Sequence, residues 1–181
     1  MTFGLRTATL RLLAGIRRIP GAPSVRVSTI DLKVEAVALD WRGSPIVVLR
    51  EREGQRAVFI WVGISEAAAI SMHLEGQRPP RPLTHDLIAV LLDKTHVQVE
   101  RVLIADMRDN TYYAYLYLRG DDGTYTIDCR PSDAIAVALR MEAPIQIDGD
   151  LLDRLDRERK ESEAELSPGA TRVDPDETIV H

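Results

Sequence analysis

Two short stretches decide the fold: Ser65-Glu66-Ala67-Ala68-Ala69-Ile70 and Ser132-Asp133-Ala134-Ile135-Ala136-Val137. Each reads as serine, acid, alanine, then small or branched apolar residues, and each opens a helix directly after a strand. Working back from the first, Ala57 to Val62 reads as a strand, Ile46 to Leu49 starts an earlier one, and Ile30 to Asp40 alternates around Val34, Ala36 and Ala38. Turns fall at Trp41–Pro45 and Glu53–Gln55. Working back from the second, Val97 to Ala105, Thr111 to Arg119 and Thr124 to Cys129 read as strands parted by Asp109-Asn110 and Gly120–Gly123. The two halves thus share one order, three strands and a small-residue helix. The hexamers lie 67 positions apart, and the offset falls to 65 where Val34-Glu35-Ala36-Val37 meets Val99-Glu100-Arg101-Val102. Hairpins of unequal length produce such a drift. The expected class is α+β, with a mixed or antiparallel sheet, packed helices and a duplicated βββα unit. Duplication would bring two related helix N-termini, with their free N–H groups, to one cleft.

Between the halves, Gln77-Arg78-Pro79-Pro80-Arg81-Pro82 cannot be helical and forms an extended connector. Thr84 then caps a helix from His85 to Lys94, with Leu87, Ile88, Leu91 and Leu92 on its buried stripe. Pro131 to Glu142 is apolar nearly all round and should be central, and Pro144 to Ile147 is a last short strand. Leu151, Leu152 and Leu155 suit one or two helical turns, Arg157 to Glu165 is a charge run that reads as a solvated helix face or a tail, and Ser167 to His181 has a disordered composition. The expected organisation is a basic flexible arm over 1–30, an α+β domain over 31–148, and an acidic helical or disordered tail over 149–181.

The 181 residues, 45% apolar and 28% charged, suffice for one core without disulfide or metal staples. No apolar run approaches a membrane span, which excludes an integral membrane protein. A single cysteine, Cys129, excludes a disulfide framework and a multi-cysteine zinc site, and fits a reducing, cytoplasmic compartment. The net charge of −5 argues against broad electrostatic binding of nucleic acid, but it is unevenly spread. Residues 1–30 hold five arginines and no acid, residues 31–147 hold 13 basic and 17 acidic side chains, and residues 148–181 hold 5 and 11. Screening confines each field to about 8–10 Å, so a local phosphate site stays open. The arm, with its leucines and isoleucines among arginines, reads either as a surface-seeking segment or as a plain extension.

Two constellations can carry chemistry. In Arg78-Pro-Pro-Arg81-Pro-Leu-Thr84-His85-Asp86, a rigid connector delivers two guanidinium groups beside a helix N-terminus. Guanidinium and free helix N–H groups suit phosphate, and His85 can act as general acid or base. The competing reading is structural: Thr84 caps, Asp86 complements the helix dipole, and His85 bonds locally. In Asp128-Cys129-Arg130-Pro131-Ser132-Asp133, two carboxylates flank an arginine where a strand meets the central helix. Such hard oxygen ligands suit Mg²⁺ or Mn²⁺, and the alternative is an Arg–Asp latch with a helix cap. Cys129 lacks an activating base and Ser132 lacks a nucleophile-elbow context. Trp61 and the tyrosines can stack on bases or simply pack in a sheet.

Arg81-Pro82-Leu83-Thr84-His85-Asp86-Leu87 followed by Asp128-x-Arg130-Pro131-Ser132-Asp133-Ala134-Ile135-Ala136 resembles the bifunctional nuclease domain family, as does Ile60-Trp61-Val62-Gly63 with Glu66-Ala67. The resemblance covers about residues 31–148 and reaches neither tail. Cys129 stands where a small residue is usual, and Phe59-Ile60 where Leu-Pro is common. The resemblance implies an α+β fold and a nuclease acting on DNA and RNA. By position it carries over Glu66, Arg81, His85, Asp86, Asp128, Arg130, Ser132 and Asp133; in a nuclease His85, Asp86 and Asp133 would be catalytic, and Arg81, Arg130 and Ser132, together with Arg78 of the first constellation, would bind substrate. Asp128, Asp133 and Glu66 would then hold a Mg²⁺ or Mn²⁺ ion that activates water. The alternative is a non-enzymatic oligomeric scaffold or regulator that binds an anion, and a homo-oligomer is expected under either reading.

Overall fold

The computed structural model describes residues 28–165. The expectations for most of the basic arm and for the end of the acidic tail lie outside those residues. Three strands, β1 (Thr29–Leu39), β2 (Pro45–Glu51) and β3 (Ala57–Trp61), form an antiparallel meander that leads into helix α1 (Ile64–Leu74). Helix α2 (Thr84–Lys94) follows the proline connector. A second meander, β4 (Gln98–Arg108), β5 (Thr111–Gly120) and β6 (Gly123–Cys129), leads into α3 (Pro131–Arg140). Strand β7 (Ile145–Asp148) and helix α4 (Gly149–Glu165) complete the described chain.

All seven strands lie in one sheet of order β3-β2-β1-β7-β4-β5-β6. Strand β7 joins the two meanders, antiparallel to β1 and parallel to β4, so the sheet is mixed and the fold is α+β. The order is symmetric about β7, and each meander ends in a helix that begins with the serine–acid–alanine hexamer. The turn at Asp109-Asn110 shows why the β4–β5 hairpin is tight. Both residues are left-handed (φ 48° and 57°), the conformation a two-residue hairpin of this twist requires and one that Asn and Asp tolerate.

One face of the sheet carries the core. Val47, Leu49, Val58 and Ile60 in the first meander, and Val102, Ile104, Ala114, Leu116 and Leu118 in the second, are buried with α3. Helix α3 is the central element, with Ala134 to Ala138 all buried. Its alanines allow α1 and α2 to approach closely. On the other face Tyr113, Tyr115 and Tyr117 alternate along β5, with the Arg101 guanidinium 4.2 Å over Tyr117 and that of Arg108 5.3 Å over Tyr113.

Two local readings are corrected and a third is narrowed. The cap residue of α2 is Leu83, and Thr84 is the first helical residue; the Leu83 N–H is held by the Asp86 side chain instead. The buried stripe of α2 runs through His85, Ile88 and Leu92, while Leu87 and Leu91 are each 54% exposed. Apolar residues occupy both sides of this helix, so periodicity alone does not fix which side turns inward. Helix α4 extends to Glu165, so the charge run is a helix face rather than a tail. Leu151 and Leu152 seat its first turn, and Asp156 pairs with Arg159 at 2.7 Å and Lys160 at 2.6 Å, which supports the charged stretch as helix.

Candidate active site

Each of α1, α2 and α3 places an acid at its third position: Glu66, Asp86 and Asp133. Negative charge there faces the free N–H groups of the first turn and is stabilised by them. Two of these acids turn to a single guanidinium. Arg130 precedes Pro131, which sets an extended backbone at Arg130 (φ −67°, ψ 143°) and starts α3 without needing an N–H. From there Arg130 Nε donates to Asp133 Oδ2 at 2.7 Å, and Nη2 donates to Asp133 Oδ1 at 3.0 Å. The same Nη2 lies 2.8 Å from Glu66 Oε1. Glu66 folds back over Gly63, whose missing Cβ leaves room for the carboxylate.

His85, the second residue of α2, is 8% exposed, and its Nε2 lies 3.0 Å from Asp133 Oδ1. An ionised carboxylate only accepts, so the ring donates from Nε2 and leaves Nδ1 to accept a proton. Burial pushes the Asp133 carboxyl up, but the Arg130 and His85 hydrogen bonds outweigh it and hold the group below its ordinary value. Ser65, Glu66, Thr84, His85, Arg130 and Asp133 supply the polar lining of an open cleft of about 540 Å³ between the N-termini of α1, α2 and α3. The arrangement offers a histidine oriented by a carboxylate, and an exposed arginine anchored to two acids.

Of the residues singled out by sequence, the cleft gathers Glu66, His85, Arg130 and Asp133. It does not gather Asp86. One Asp86 oxygen accepts the Leu83 N–H at 2.8 Å and the other accepts from Arg140, a guanidinium only 6% exposed. Arg140 also donates to the Ala136 carbonyl at 2.9 Å and the Ala69 carbonyl at 3.1 Å, so it ties α1, α2 and α3 together. Burial raises the Asp86 carboxyl, but Arg140 and the Leu83 N–H bring it below its usual range. Asp86 is therefore placed as a structural latch. Ser132 is 6% exposed and lies outside the cleft lining, which corrects its assignment as a substrate contact. Arg78 and Arg81 are exposed on the connector, outside the lining, and neither forms an ion pair among the described residues.

The expected metal ligands are not brought together. Asp128 sits exposed on β6 opposite Tyr115, away from Glu66 and Asp133. Glu66 spends one oxygen on Arg130 and Asp133 spends both, and among the described residues no group of three or more His, Cys, Asp or Glu side chains has metal-binding geometry. The donor set as folded does not fit Mg²⁺ or Mn²⁺. Sequence reasoning missed Arg140 and Ser65. Arg140 gave no local signal beyond a basic last turn, whereas Ser65 was visible as the duplicate of Ser132 and is the serine that reaches the cleft.

An α+β domain with an acid-lined, arginine-bearing cleft at three helix N-termini defines the class structurally. Residues 47–160 match the bifunctional nuclease domain, and the chain belongs to that family. An uncharacterized protein of Mycobacterium tuberculosis is 39% identical over 122 residues, 67% of this chain and 70% of its own length. Bifunctional nuclease 1 of Oryza sativa subsp. japonica is 34% identical over 77 residues, 41% of this chain and 23% of the relative. Bifunctional nuclease 2 of the same plant is 30% identical over 107 residues, 57% of this chain and 33% of the relative. The described helices include none long and apolar enough to cross a membrane.

Proposed function

We propose that the cleft binds and hydrolyses a phosphodiester of DNA or RNA. The observation that carries this reading is the His85–Asp133 pair, 3.0 Å apart, in the same cleft as the exposed Arg130. His85 takes the proton of the attacking water at Nδ1 as the new P–O bond forms; the ester P–O bond breaks, and the leaving oxygen takes its proton from solvent in the open cleft. Asp133 holds the ring by Nε2 and stabilises the imidazolium that results. Arg130 spends Nε and Nη2 on the two carboxylates and keeps Nη1 for a phosphate oxygen. The names of the rice relatives support the reaction class.

A second reading is favoured by the charge of the same cleft. Glu66 and Asp133 outnumber Arg130 among the lining residues, which weakens attraction for a phosphate and fits a regulatory or scaffold domain without turnover. A divalent ion would change this balance only if Arg130 released its two acids. Cleavage of plasmid DNA and of RNA, with and without EDTA, tests both readings beside identically purified Asp133→Asn and His85→Ala proteins. Turnover lost in both variants supports the nuclease. Turnover that survives both belongs to a contaminant, and binding without turnover supports the second reading. Loss with EDTA alone would bring Mg²⁺ or Mn²⁺ into the mechanism.

A further inference from the structure

Strand β3 is an outermost strand of the sheet, and among the described residues no strand pairs with its outer edge. Its sequence, Ala57-Val58-Phe59-Ile60-Trp61, has no charge, no proline and no register shift against β2. Edge strands ordinarily carry such devices, because bare N–H and C=O groups recruit another strand. The Val62 N–H donates to the Pro45 carbonyl and the Glu51 N–H to the Arg56 carbonyl. The even-numbered residues therefore face β2, and Ala57, Phe59 and Trp61 turn both backbone groups outward. Their side chains share one face, where Phe59 is 37% and Trp61 60% exposed. Trp61 Nε1 donates to Asp40 Oδ2 at 3.1 Å, which fixes its ring beside the β1–β2 hairpin. Trp41, 86% exposed, follows Asp40 in that hairpin, and Ile64, 79% exposed, lies three residues beyond Trp61.

We propose that β3 is a self-association edge, pairing antiparallel with β3 of a second copy about a twofold axis through Phe59. The strand is complementary to itself. Its three outward residues lie symmetrically about Phe59, so Phe59 exchanges both hydrogen bonds with its counterpart and Ala57 exchanges both with Trp61. On the shared face Phe59 meets Phe59, and the bulk of each Trp61 lies opposite the small Ala57. The axis is normal to the sheet, so one continuous sheet runs through both copies with their helices on the same side. The exposed parts of Trp41, Phe59 and Trp61 alone come to roughly 300–450 Å² a side; Ile64 and the paired backbone bring this towards the ~800 Å² per partner of a stable interface.

Sedimentation and light scattering of the full chain should show a dimer. Phe59→Lys places like charges at the axis, and Phe59→Pro removes an outward N–H that β2 does not use. Each should weaken association by about 100-fold or more with the monomer still folded by circular dichroism. Leu91→Lys, on the exposed side of α2, should leave the dimer intact. Amide exchange on the unaltered chain gives a readout independent of those variants: the Phe59 and Trp61 amides should gain protection as concentration rises. A monomeric chain, outward amides that exchange freely at every concentration, or a dimer that survives both Phe59 changes and is lost in Leu91→Lys would each overturn the proposal.

Discussion

Asp133 is the residue on which the site converges, since His85 and Arg130 both bond to it. Asparagine keeps its shape but cannot stabilise an imidazolium, so Asp133→Asn should lower the rate of phosphodiester cleavage by about 10²-fold or more. The same change has a pH signature. The folded carboxyl lies below its ordinary value, so its contribution to stability is fully present above about pH 4 and is lost as pH falls through the lower folded value. Urea midpoints followed from neutral to acid pH should fall less steeply below about pH 4 in Asp133→Asn than in the unaltered chain. Cys129, four residues earlier, is held by the opposite effect. Burial, aided by the Asp128 and Asp133 charges, pushes its thiol up to about 12. Iodoacetamide at pH 8 should therefore modify the unfolded chain readily and the native chain hardly at all. The inertness of Cys129, the pairing of Arg130 with Asp133 and the role of His85 could all be framed from sequence, because each depends on neighbours along the chain or on one motif. Asp128 and Ser132 could not be sorted that way. One step along β6 turns a side chain to the opposite face, and one step along α3 carries it about 100° around the helix.

At the level of elements, what holds α1, α2 and α3 in register is the Asp86–Arg140 pair. Arg140 is nearly buried and satisfies two carbonyls besides Asp86, so removing Asp86 strands a guanidinium inside the protein. Asp86→Asn and Arg140→Met should each cost about 3 kcal/mol, and the double variant clearly less than the sum of the two, as measured by urea unfolding. Activity should fall with them only as far as α2 shifts His85. The fold itself was largely legible: the strands, the small-residue helices and the repeated hexamer all leave local patterns of period two or 3.6. The phase of α2 was not. Leu87, Ile88, Val90, Leu91 and Leu92 make the helix apolar on two sides, and only the packing of His85 against Asp133 shows which side is inner. Arg140 was illegible for a related reason, since its partners lie 54 and 71 residues away.

For the whole molecule, the distribution of charge limits how nucleic acid can be held. The domain carries more acids than bases between residues 31 and 147, and the basic groups at or near the cleft are few: Arg130 in the lining and Arg78 and Arg81 on the adjoining connector. Two or three phosphate contacts release correspondingly few counterions, so log affinity should fall with log salt at a slope of about −2. Fluorescence anisotropy of a labelled single strand with Asp133→Asn, which should bind without cutting, measures that slope between about 50 and 200 mM salt. A slope near −2 that loses about one unit in Arg130→Gln would place the strand in the cleft. A slope of about −5 or steeper would exceed what the cleft and its connector can supply. It would assign the binding instead to the five arginines of residues 1–30, with the cleft reading only what that arm delivers.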